Sequence, residues 1–316
     1  MTLDIRSLSL DEIKSLVADV GEKPYRAKQL WEWLWKKHAH SWDAMSDLPK
    51  AFRAQLSERT VLRPLVLAEE QRSADGTVKC AFKTFDGHVV EGVLIPTPTR
   101  LTACISSQIG CSLTCSFCAT GKLKRIRNLE AAEIVDQVVM IDRLAQKYHK
   151  QGLTNIVYMG MGEPLLNYAN TMASAERISA EDGLGMGARR ITVSTAGIAK
   201  MIRKLADDGA RFNLALSLHA ANDAKRDRIM PINEQNTLAE LKDALRYYTR
   251  TTRKEVTFEY AASTKFYLED KKAGNPWITK LHFPVHVVTK VTTTDTWRGS
   301  SFSTQYDYHH GYYDHS

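Results

Sequence analysis

Hydrophobic residues in the first sixty positions recur every three or four residues, which is the spacing of an amphipathic helix. The segment Ser9–Glu12 has the form of a capping box, in which the serine and the glutamate satisfy backbone amides at a helix start. A second apolar run follows Pro24, and a third short helix is expected after Pro49. The pattern therefore predicts a small helical domain over residues 1–60.

Between residues 61 and 100 the helical spacing gives way to alternating apolar and polar positions. Two Asp-Gly pairs, Asp75-Gly76 and Asp86-Gly87, are flanked by the segments VKCAFKTF and HVVEGVLIP. An Asp-Gly pair between alternating segments is a strong signal for a tight hairpin turn. We therefore predict a short antiparallel β segment over residues 61–100, with Cys80 as a buried and inert thiol in mid-strand.

Residues 101–260 contain short apolar strands that alternate with longer helical stretches. This order is typical of a parallel sheet covered by helices. Reactive or polar residues follow four consecutive strands: cysteines the first, Gly-Glu-Pro the second, Ser-Thr the third and Ser-Leu-His the fourth. Because the chemistry of a β/α barrel lies at the carboxyl ends of its strands, we predict an α/β fold with a partial (β/α) barrel and a site at that end.

The composition is that of an ordinary globular protein, with 316 residues of which 43% are hydrophobic and 25% are charged. No apolar run reaches the ~18 residues of a transmembrane helix, and the first residues lack the basic and apolar regions of a signal peptide. We therefore expect a cytoplasmic, monomeric protein with no membrane partner. The formal net charge of +7 favours a polyanionic partner.

The five cysteines are unevenly placed, since four of them lie between Cys104 and Cys118 and none follows Cys118. Clustered cysteines in a chain of this size favour a metal or cluster site in a reducing compartment over a disulfide framework. Cys111, Cys115 and Cys118 form a C-x-x-x-C-x-x-C motif. Three thiolates on one loop suit an iron–sulfur cluster or zinc. Zinc would take a fourth ligand from Cys104 or a histidine, whereas a [4Fe–4S] cluster would keep one iron open.

This motif, with Phe117 before its last cysteine, resembles that of the radical S-adenosylmethionine superfamily. The resemblance implies a [4Fe–4S] cluster whose open iron binds the amino and carboxylate groups of S-adenosylmethionine and splits it to a 5′-deoxyadenosyl radical. It also implies that the residues after the next three strands bind this cofactor. These are Gly162, Glu163, Ser194, Ser217, Leu218 and His219. Without the resemblance, the same residues would be interpreted as turn formers and helix caps.

A narrower resemblance rests on six segments that occur in the order GEKPYRAKQLWEWLW, EGVLIP, CSFCATG, GMGEPLLNY, RRITVSTAGI and LALSLHA. Together they resemble the RlmN family, in the RlmN/Cfr branch of the superfamily, over residues 1–260. The resemblance implies a dual-specificity methyltransferase that acts on C2 of adenine in 23S rRNA and tRNA. It further implies that residues 1–60 contact RNA, that residues 101–260 form the radical S-adenosylmethionine core, and that a flavodoxin- or ferredoxin-like protein supplies electrons.

The family's reaction implies two catalytic residues outside the cluster motif. C2 of adenine is electrophilic, so the family first methylates a cysteine near its C-terminus and then passes the carbon to the base by a radical step. A second cysteine attacks the sulfur and releases the product, and Cys104 matches this resolving cysteine. Glu91 matches the family's proton acceptor. Without the family, Cys104 would be a buried strand residue and Glu91 a surface charge.

Residues 261–316 depart from the family's pattern. They contain no cysteine, and they lack the strand motif and the cofactor-contacting asparagine of the family. The abrupt change after Tyr260 indicates a shifted reading frame or a damaged gene end, and a genuine but divergent C-terminus is the other interpretation. The alternative function is thus a family member that binds the cluster, S-adenosylmethionine and RNA without turnover. A third interpretation is a zinc-dependent RNA-binding module. A missing C-terminal strand and helix would also expose the core of the barrel, and we would then expect low solubility.

A basic segment directly after the cysteine motif fits an RNA substrate. It contains Lys122, Lys124, Arg125 and Arg127. Cations that neutralise phosphates make binding depend on salt and little on sequence. Specificity would then come from a base flipped out of its stack into the mouth of the barrel. The simpler interpretation of the same charges is a solvated face.

Overall fold

The computed structural model describes residues 3–260 and the backbone of Val291–Thr292. The predictions made for residues 261–316 therefore lie outside the described residues, except that a short strand at Val291–Thr292 pairs antiparallel with the last strand of the barrel. Within the described part of the chain, no helix is both long and apolar enough to cross a membrane.

Three helices form near the N-terminus, as predicted: α1 (Leu10–Asp19), α2 (Tyr25–Trp35) and α3 (Lys50–Arg59). The Ser9 side chain accepts a hydrogen bond from the Glu12 amide, and the Glu12 carboxylate accepts one from the Ser9 amide, which confirms the capping box. The apolar positions of α2 are buried, namely Ala27, Leu30, Trp31, Leu34 and Trp35. The helices therefore pack around a shared apolar core.

Nine strands within the described residues form one continuous sheet. In spatial order they are β1 (Val66–Arg72), β2 (Val78–Lys83), β3 (Val89–Pro96), β4 (Leu101–Cys104), β7 (Asn155–Tyr158), β8 (Ile191–Thr195), β9 (Asn213–Ser217), β10 (Val256–Glu259) and β11 (Val291–Thr292). β1 to β4 pair antiparallel, and β4 and β7 to β10 pair parallel. The predicted antiparallel hairpins are confirmed. β3 also pairs antiparallel with β4, so these strands continue into the barrel sheet.

A second, two-stranded ladder and five helices complete the core. The ladder consists of β5 (Gln108–Ile109) and β6 (Arg127–Asn128), paired antiparallel. The helices are α4 (Ala131–His149), α5 (Tyr168–Ser179), α6 (Ala199–Asp207), α7 (Asp223–Ile229) and α8 (Leu238–Thr252). The alternation of parallel strands and helices matches the order predicted from the sequence.

The two faces of the parallel strands differ in polarity. The outer side chains are apolar and buried, and include Ala103, Ile156, Tyr158, Val193, Leu214, Leu216 and Phe258. α4 packs on this face, where Gly92 leaves room for the Ile141 side chain. Successive side chains of a strand point to opposite faces, so the alternate positions line the inner face. The inner face carries Cys104, Ser194, Ser217 and Glu259.

A buried ion pair joins the N-terminal segment to the barrel. The Arg6 guanidinium donates to both carboxylate oxygens of Asp136 on α4, at 2.8 and 2.9 Å. Asp136 also accepts a hydrogen bond from the Leu65 amide at 3.0 Å. The helices before β1 are therefore fixed to the outer layer of the barrel, and not only through the chain connection.

Candidate active site

The three cysteines of the motif lie on residues 110–126, here called the cluster loop. The β5–β6 ladder closes its base, where the Ile126 amide donates to the Ile109 carbonyl at 2.8 Å. Gly110 has φ +74°, and a Cβ there would lie 2.3 Å from the carbonyl oxygen of Lys124. Only glycine allows the two ends of the loop to approach so closely.

Arg127, the first residue after the cluster loop, fixes the exit of the loop. Its guanidinium contacts Asp86 in the β2–β3 turn at 2.7 Å and Glu133 of α4 at 2.7 Å. Paired guanidinium–carboxylate contacts set orientation as well as position. Arg127 was predicted with the RNA-binding segment, but the structure shows that its charge is already balanced by two carboxylates.

Cys111, Cys115 and Cys118 are half-buried and close enough to influence one another electrostatically. The Leu113 amide donates to Sγ of Cys111 at 3.4 Å. Burial raises the pKa of the Cys111 thiol and raises that of Cys115 to about 12. Both thiols are therefore protonated at neutral pH, and a metal that binds them must displace the protons.

The cluster loop packs onto the carboxyl ends of β8 and β9. Leu113 and Cys115 contact a small group of buried apolar residues, namely Ala196, Ala220, Ile229 and Met230. The Ser116 amide donates to the Ile229 carbonyl at 2.9 Å. The ring of Phe117 meets that of His219 edge-on, with the centroids 4.5 Å apart. These contacts bring the three cysteines next to the residues that follow β8 and β9.

The turn after β7 places Glu163 between the strand ends. Gly162 has φ +95°, and a Cβ there would lie 2.4 Å from Cβ of Gln108, so this turn requires glycine. The buried Glu163 carboxylate accepts hydrogen bonds from the Leu165 and Ala196 amides at 3.0 and 2.7 Å. Burial raises the pKa of Glu163, and these two amides oppose that shift. The Thr195 hydroxyl is a third hydrogen-bond partner of this carboxylate, so Glu163 links the ends of β7 and β8.

Ser194 and Ser217, two of the predicted cofactor-binding residues, share one carboxylate oxygen of Glu259. Ser194 donates to Oε2 of Glu259 at 2.8 Å, and Ser217 donates to the same atom at 2.9 Å. Glu259 is only 5% exposed, and its Oε1 is buried without a hydrogen-bond partner in the described part of the chain. Burial raises the pKa of Glu259, and the two serine hydroxyls oppose that shift.

Leu218 and His219 are held against the end of β10. Their amides donate to the Glu259 carbonyl at 2.9 and 3.1 Å. His219 has φ +54°, a conformation that costs a non-glycine residue about 1–2 kcal/mol. Burial lowers the pKa of His219 to about 3, and the Arg226 charge acts in the same direction. The imidazole is therefore neutral at the rim of the site.

Cys104 and Glu91 lie on the inner face of the sheet. Cys104 is in register with Val93 of β3, and Glu91 precedes Val93 by two residues, so the three side chains point to the same side. Burial raises the pKa of Cys104 to about 12, and the Glu259 carboxylate adds to this shift. Glu91 is exposed and pairs with Lys79 at 2.8 Å. The structure thus brings both predicted catalytic residues to one face, with Glu91 nearer to solvent.

Arg226 of α7 is fully buried behind the site and has no counterpart in the sequence predictions. Its guanidinium donates to the carbonyl oxygens of Ala196 (2.5 Å), Ser217 (3.2 Å) and Leu218 (3.0 Å) and to Oδ1 of Asn233 (2.7 Å). Burial lowers the pKa of Arg226 to about 10, so the group remains charged at neutral pH. It therefore fixes the ends of β8 and β9 to each other.

The arrangement fits an iron–sulfur cluster with a polar cofactor beside it. No group of three or more His, Cys, Asp or Glu side chains in residues 3–260 is placed to hold a single metal ion. A [4Fe–4S] cluster makes a different demand, because each cysteine binds a different iron atom. Three thiols on one docked loop, with an amide directed at a sulfur, suit that demand. The buried Oε1 of Glu259, which has no partner in the described residues, leaves an acceptor for the polar cofactor.

Models of known protein families match most of the described chain and support a site for an iron–sulfur cluster and a cofactor. The model described as the ribosomal RNA large subunit methyltransferase N-terminal domain matches residues 3–62, and that of the radical SAM superfamily matches residues 105–261. A third, described as the insecticide toxin TcdB middle/N-terminal region, matches residues 242–316 and overlaps the second. Members of the radical SAM superfamily use a [4Fe–4S] cluster and S-adenosylmethionine.

Curated relatives decide the family. The chain is 54% identical over 256 residues to the probable dual-specificity RNA methyltransferase RlmN of Cytophaga hutchinsonii, covering 81% of this chain and 70% of the relative. The corresponding protein of Flavobacterium johnsoniae is 50% identical over 257 residues, covering 81% and 74%. The chain belongs to the RlmN family. RlmN proteins are radical SAM RNA methyltransferases, which confirms the resemblance drawn from the six sequence segments.

A solved structure supports the RlmN assignment at the level of the fold. The crystal structure of a radical SAM methyltransferase from Sphaerobacter thermophilus is similar with a TM-score of 0.78 and 41% identity, covering 87% of this chain and 82% of that chain. The predicted α/β fold with a partial (β/α) barrel of the radical SAM type is therefore confirmed.

Two buried residues at these strand ends, Glu259 and Arg226, were not predicted from the sequence, for different reasons. Glu259 ends the fifth strand of the parallel sheet, so the strand-end rule applied to the first four strands would have found it. Arg226 lies in the helical segment DAKRDRI, where most positions are charged. No local pattern separates the one buried arginine from its exposed neighbours.

The buried carboxylate of Glu259 predicts a pH dependence of stability. Since the pKa is raised in the folded chain, folding is favoured when Glu259 is protonated, and this contribution is lost as the pH rises through the folded pKa. We expect the stability of Glu259→Gln relative to wild type to increase between pH 4 and pH 8. Urea unfolding of the metal-free chain at both pH values measures this. Glu255→Gln, at the exposed position directly before β10, should show no such change.

Proposed function

We propose that this chain binds a [4Fe–4S] cluster and S-adenosylmethionine at the carboxyl ends of its parallel strands and methylates C2 of adenine in 23S rRNA and tRNA. The observation that supports this most directly is the convergence at one end of the barrel. The cluster loop, the Glu163 turn and the group formed by Ser194, Ser217 and Glu259 meet there through the contacts described above.

The proposed cluster ligands are Cys111, Cys115 and Cys118, and the proposed cofactor-binding residues are Gly162, Glu163, Ser194, Ser217, Leu218 and His219. When bound, the cluster and its cofactor supply one-electron chemistry that amino-acid side chains lack. The chain's own part is to hold and orient. The Gly162 turn allows a close approach of the backbone, and the carboxylates of Glu163 and Glu259 offer acceptors to donors on the ligand.

Cys104 and Glu91 are proposed as the catalytic residues. In a methyl-cysteine route, Cys104 would attack the sulfur that joins the carrier cysteine to the base. An S–S bond would form, the bond from that sulfur to the methylene carbon would break, and the carbon would take up a proton to become the methyl group of the released adenine. A thiol whose pKa is raised to about 12 needs a base to remove its proton. Glu91, on the same face of the sheet, is the proposed proton acceptor for the reaction.

The domain organisation is likewise a proposal. Residues 1–60 form the accessory RNA-contacting domain, 61–100 the antiparallel β segment, 101–260 the radical SAM core and 261–316 a divergent tail. The ion pair between Arg6 and Asp136 supports a fixed placement of the first of these against the core. A flavodoxin- or ferredoxin-like donor is the proposed source of electrons, and the chain is proposed to act as a monomer in the cytoplasm.

The proposed RNA surface lies on the outer side of the cluster loop. Leu123 and Ile126 are 52% and 53% exposed, and the exposed lysines Lys122 and Lys124 alternate with them. Exposed apolar side chains between cations suit the stacking of bases near phosphates. Unlike Arg127, neither lysine forms an ion pair with a carboxylate within residues 3–260, so their charges are available to RNA.

Replacing both lysines by alanine should weaken RNA binding almost equally for all sequences. We expect the slope of log K against log salt concentration to become shallower by about 2, one for each lost phosphate contact. Fluorescence anisotropy with a tRNA fragment at several salt concentrations measures the slope. Lys200→Ala, on the exposed side of α6, removes one charge elsewhere and should leave the slope unchanged. An unchanged slope in the double variant would place the RNA on another surface.

A second candidate is binding without turnover. It is favoured by one observation, that no cysteine follows Cys118 among these 316 residues. The methyl-cysteine route needs a carrier thiol in addition to Cys104, and Cys80 is buried on β2 in the outer part of the sheet. A chain limited to these residues would then assemble the site and bind RNA, but would not transfer a methyl group.

Mass spectrometry of total RNA separates the two candidates. Cells without their own enzyme would express this chain, and 2-methyladenosine would be measured, with the visible absorbance of the purified protein as the control for the cluster. If 2-methyladenosine forms and Cys104→Ala removes it, the chain is a methyltransferase that uses Cys104. If no 2-methyladenosine forms although the cluster is intact, the chain binds without turnover.

A further inference from the structure

Glu259 presents an acceptor that nothing in the described residues satisfies. Its Oε2 accepts two hydrogen bonds from serines, whereas its Oε1 is buried and has none. Buried polar atoms are nearly always paired with protein, water or ligand. Glu259 also lies at the carboxyl end of β10, in register with Ser217 at the end of β9, which is where ligands of such barrels bind.

The group around Glu259 offers acceptors and no donors. The hydroxyl hydrogens of Ser194 and Ser217 are both directed to Oε2, so the serine oxygens keep only lone pairs for a ligand. A ligand at this point must therefore supply donors. S-adenosylmethionine carries three kinds: the ammonium group, the vicinal hydroxyls of the ribose and the amino group of the adenine.

The position of Glu259 indicates which of the three donor groups of S-adenosylmethionine it binds. Glu163 accepts from the amide of Ala196, which belongs to the apolar group that the cluster loop contacts, whereas Glu259 lies at the end of β10. The free Oε1 of Glu259 and the lone pairs of the two serine oxygens can together accept from both hydroxyls of a vicinal diol, and dinucleotide-binding folds place an acidic residue on ribose. The exocyclic amino group of the adenine is the remaining donor, and analogues that lack one ribose hydroxyl distinguish it from the diol.

We propose that Glu259 binds the ribose hydroxyls of S-adenosylmethionine through its free Oε1, with Ser194 and Ser217 fixing the carboxylate. This inference rests on the proposed function, since it places the cofactor in this site. It adds a cofactor-binding residue outside the cluster motif and outside the Gly162–Glu163 turn. It also explains the two serine hydrogen bonds to Oε2, because they orient the Glu259 carboxylate before the cofactor binds.

Calorimetric binding to the full chain with its cluster tests the proposal without any turnover. The probes are 5′-methylthioadenosine, which has the diol but no ammonium group, its 2′-deoxy and 3′-deoxy analogues, and S-adenosylhomocysteine, which has both groups. For wild type we expect at least one deoxy analogue to bind about tenfold more weakly, the loss expected for one good hydrogen bond to a charged group. Glu259→Gln should weaken 5′-methylthioadenosine and S-adenosylhomocysteine by about the same factor, and removal of the hydroxyl should then cost little more.

Every other result argues against the proposal. If Glu259→Gln weakens the parent and deoxy probes equally and additively, the residue does not contact the ribose. If only S-adenosylhomocysteine is weakened, Glu259 binds the ammonium group instead. Glu255→Gln, at the exposed position directly before β10, is the matched control. Glu259→Asp, which keeps the charge but shortens the reach, replaces the amide variant if that fails to fold. If wild type itself binds none of the probes, the proposed function fails first.

Discussion

Replacing Cys115 by serine is expected to abolish the visible absorbance of the anaerobically purified chain at about 400 nm, where thiolate-ligated iron–sulfur sites absorb. Cys115 is the middle cysteine of the cluster loop and packs against the buried apolar residues at the ends of β8 and β9. In a cluster held by three thiols, loss of the Cys115 thiol leaves one iron atom without its protein ligand. Iron content per chain should fall below about a tenth of the wild-type value.

Cys80→Ser is the matched control for this experiment. Cys80 is fully buried on β2, and burial raises its pKa to about 12, so it is an inert thiol away from the loop. We expect the control variant to keep its iron and its absorbance. Circular dichroism shows whether each variant folds. Retention of a full complement of iron by the folded Cys115→Ser chain would contradict the assignment of the ligands, whatever the activity.

Replacing Arg226 by methionine is expected to lower the free energy of unfolding by about 3–5 kcal/mol, which is the range for removing one partner from a buried charged network. Methionine fills a similar volume but donates no hydrogen bond. Three carbonyl oxygens and the Asn233 side chain then lose their donor in the interior, where an unpaired acceptor is costly. Urea unfolding of the metal-free chain measures the loss.

Two further variants show whether the network or the charge matters. Arg226→Lys keeps the charge but has a compact ammonium group that cannot span acceptors on β8 and β9, so we expect it to restore only part of the stability. Arg250→Met, at an exposed position of α8, should change the free energy of unfolding by no more than about 0.5 kcal/mol. A fully stable Arg226→Met chain would show that the carbonyls find other partners.

Much of the fold could be predicted because its signals are local. The capping box at Ser9, the two Asp-Gly turns and the alternation of strands and helices each occupy a short stretch of sequence, and each is confirmed by the structure. The pairing of β3 with β4 was not predicted, because strand pairing depends on tertiary contacts and leaves no mark in the periodicity. The sequence therefore predicted the hairpins but not their connection to the barrel sheet.

The same distinction holds for the site. The cysteine motif is read from spacing alone, since three ligands on one loop are close wherever the loop lies. Glu259 and Arg226 gain their roles only when separate elements converge. The environment of Arg127 is the clearest case, because one of its carboxylate partners, Asp86, lies 41 residues earlier in the chain. A run of basic residues cannot show which of its charges the fold has already balanced.

The closed base of the cluster loop bears on how the protein acquires its iron. The β5–β6 ladder, the close approach at Gly110 and the contacts of Arg127 hold both ends of the loop with no metal ligand among them. Protein contacts therefore already hold the two ends of the cluster loop together. The loss of chain entropy on closing the loop occurs when the protein folds and not when the metal binds. Metal loading can then follow folding, so a cluster lost to oxygen can be rebuilt on a chain that never unfolds.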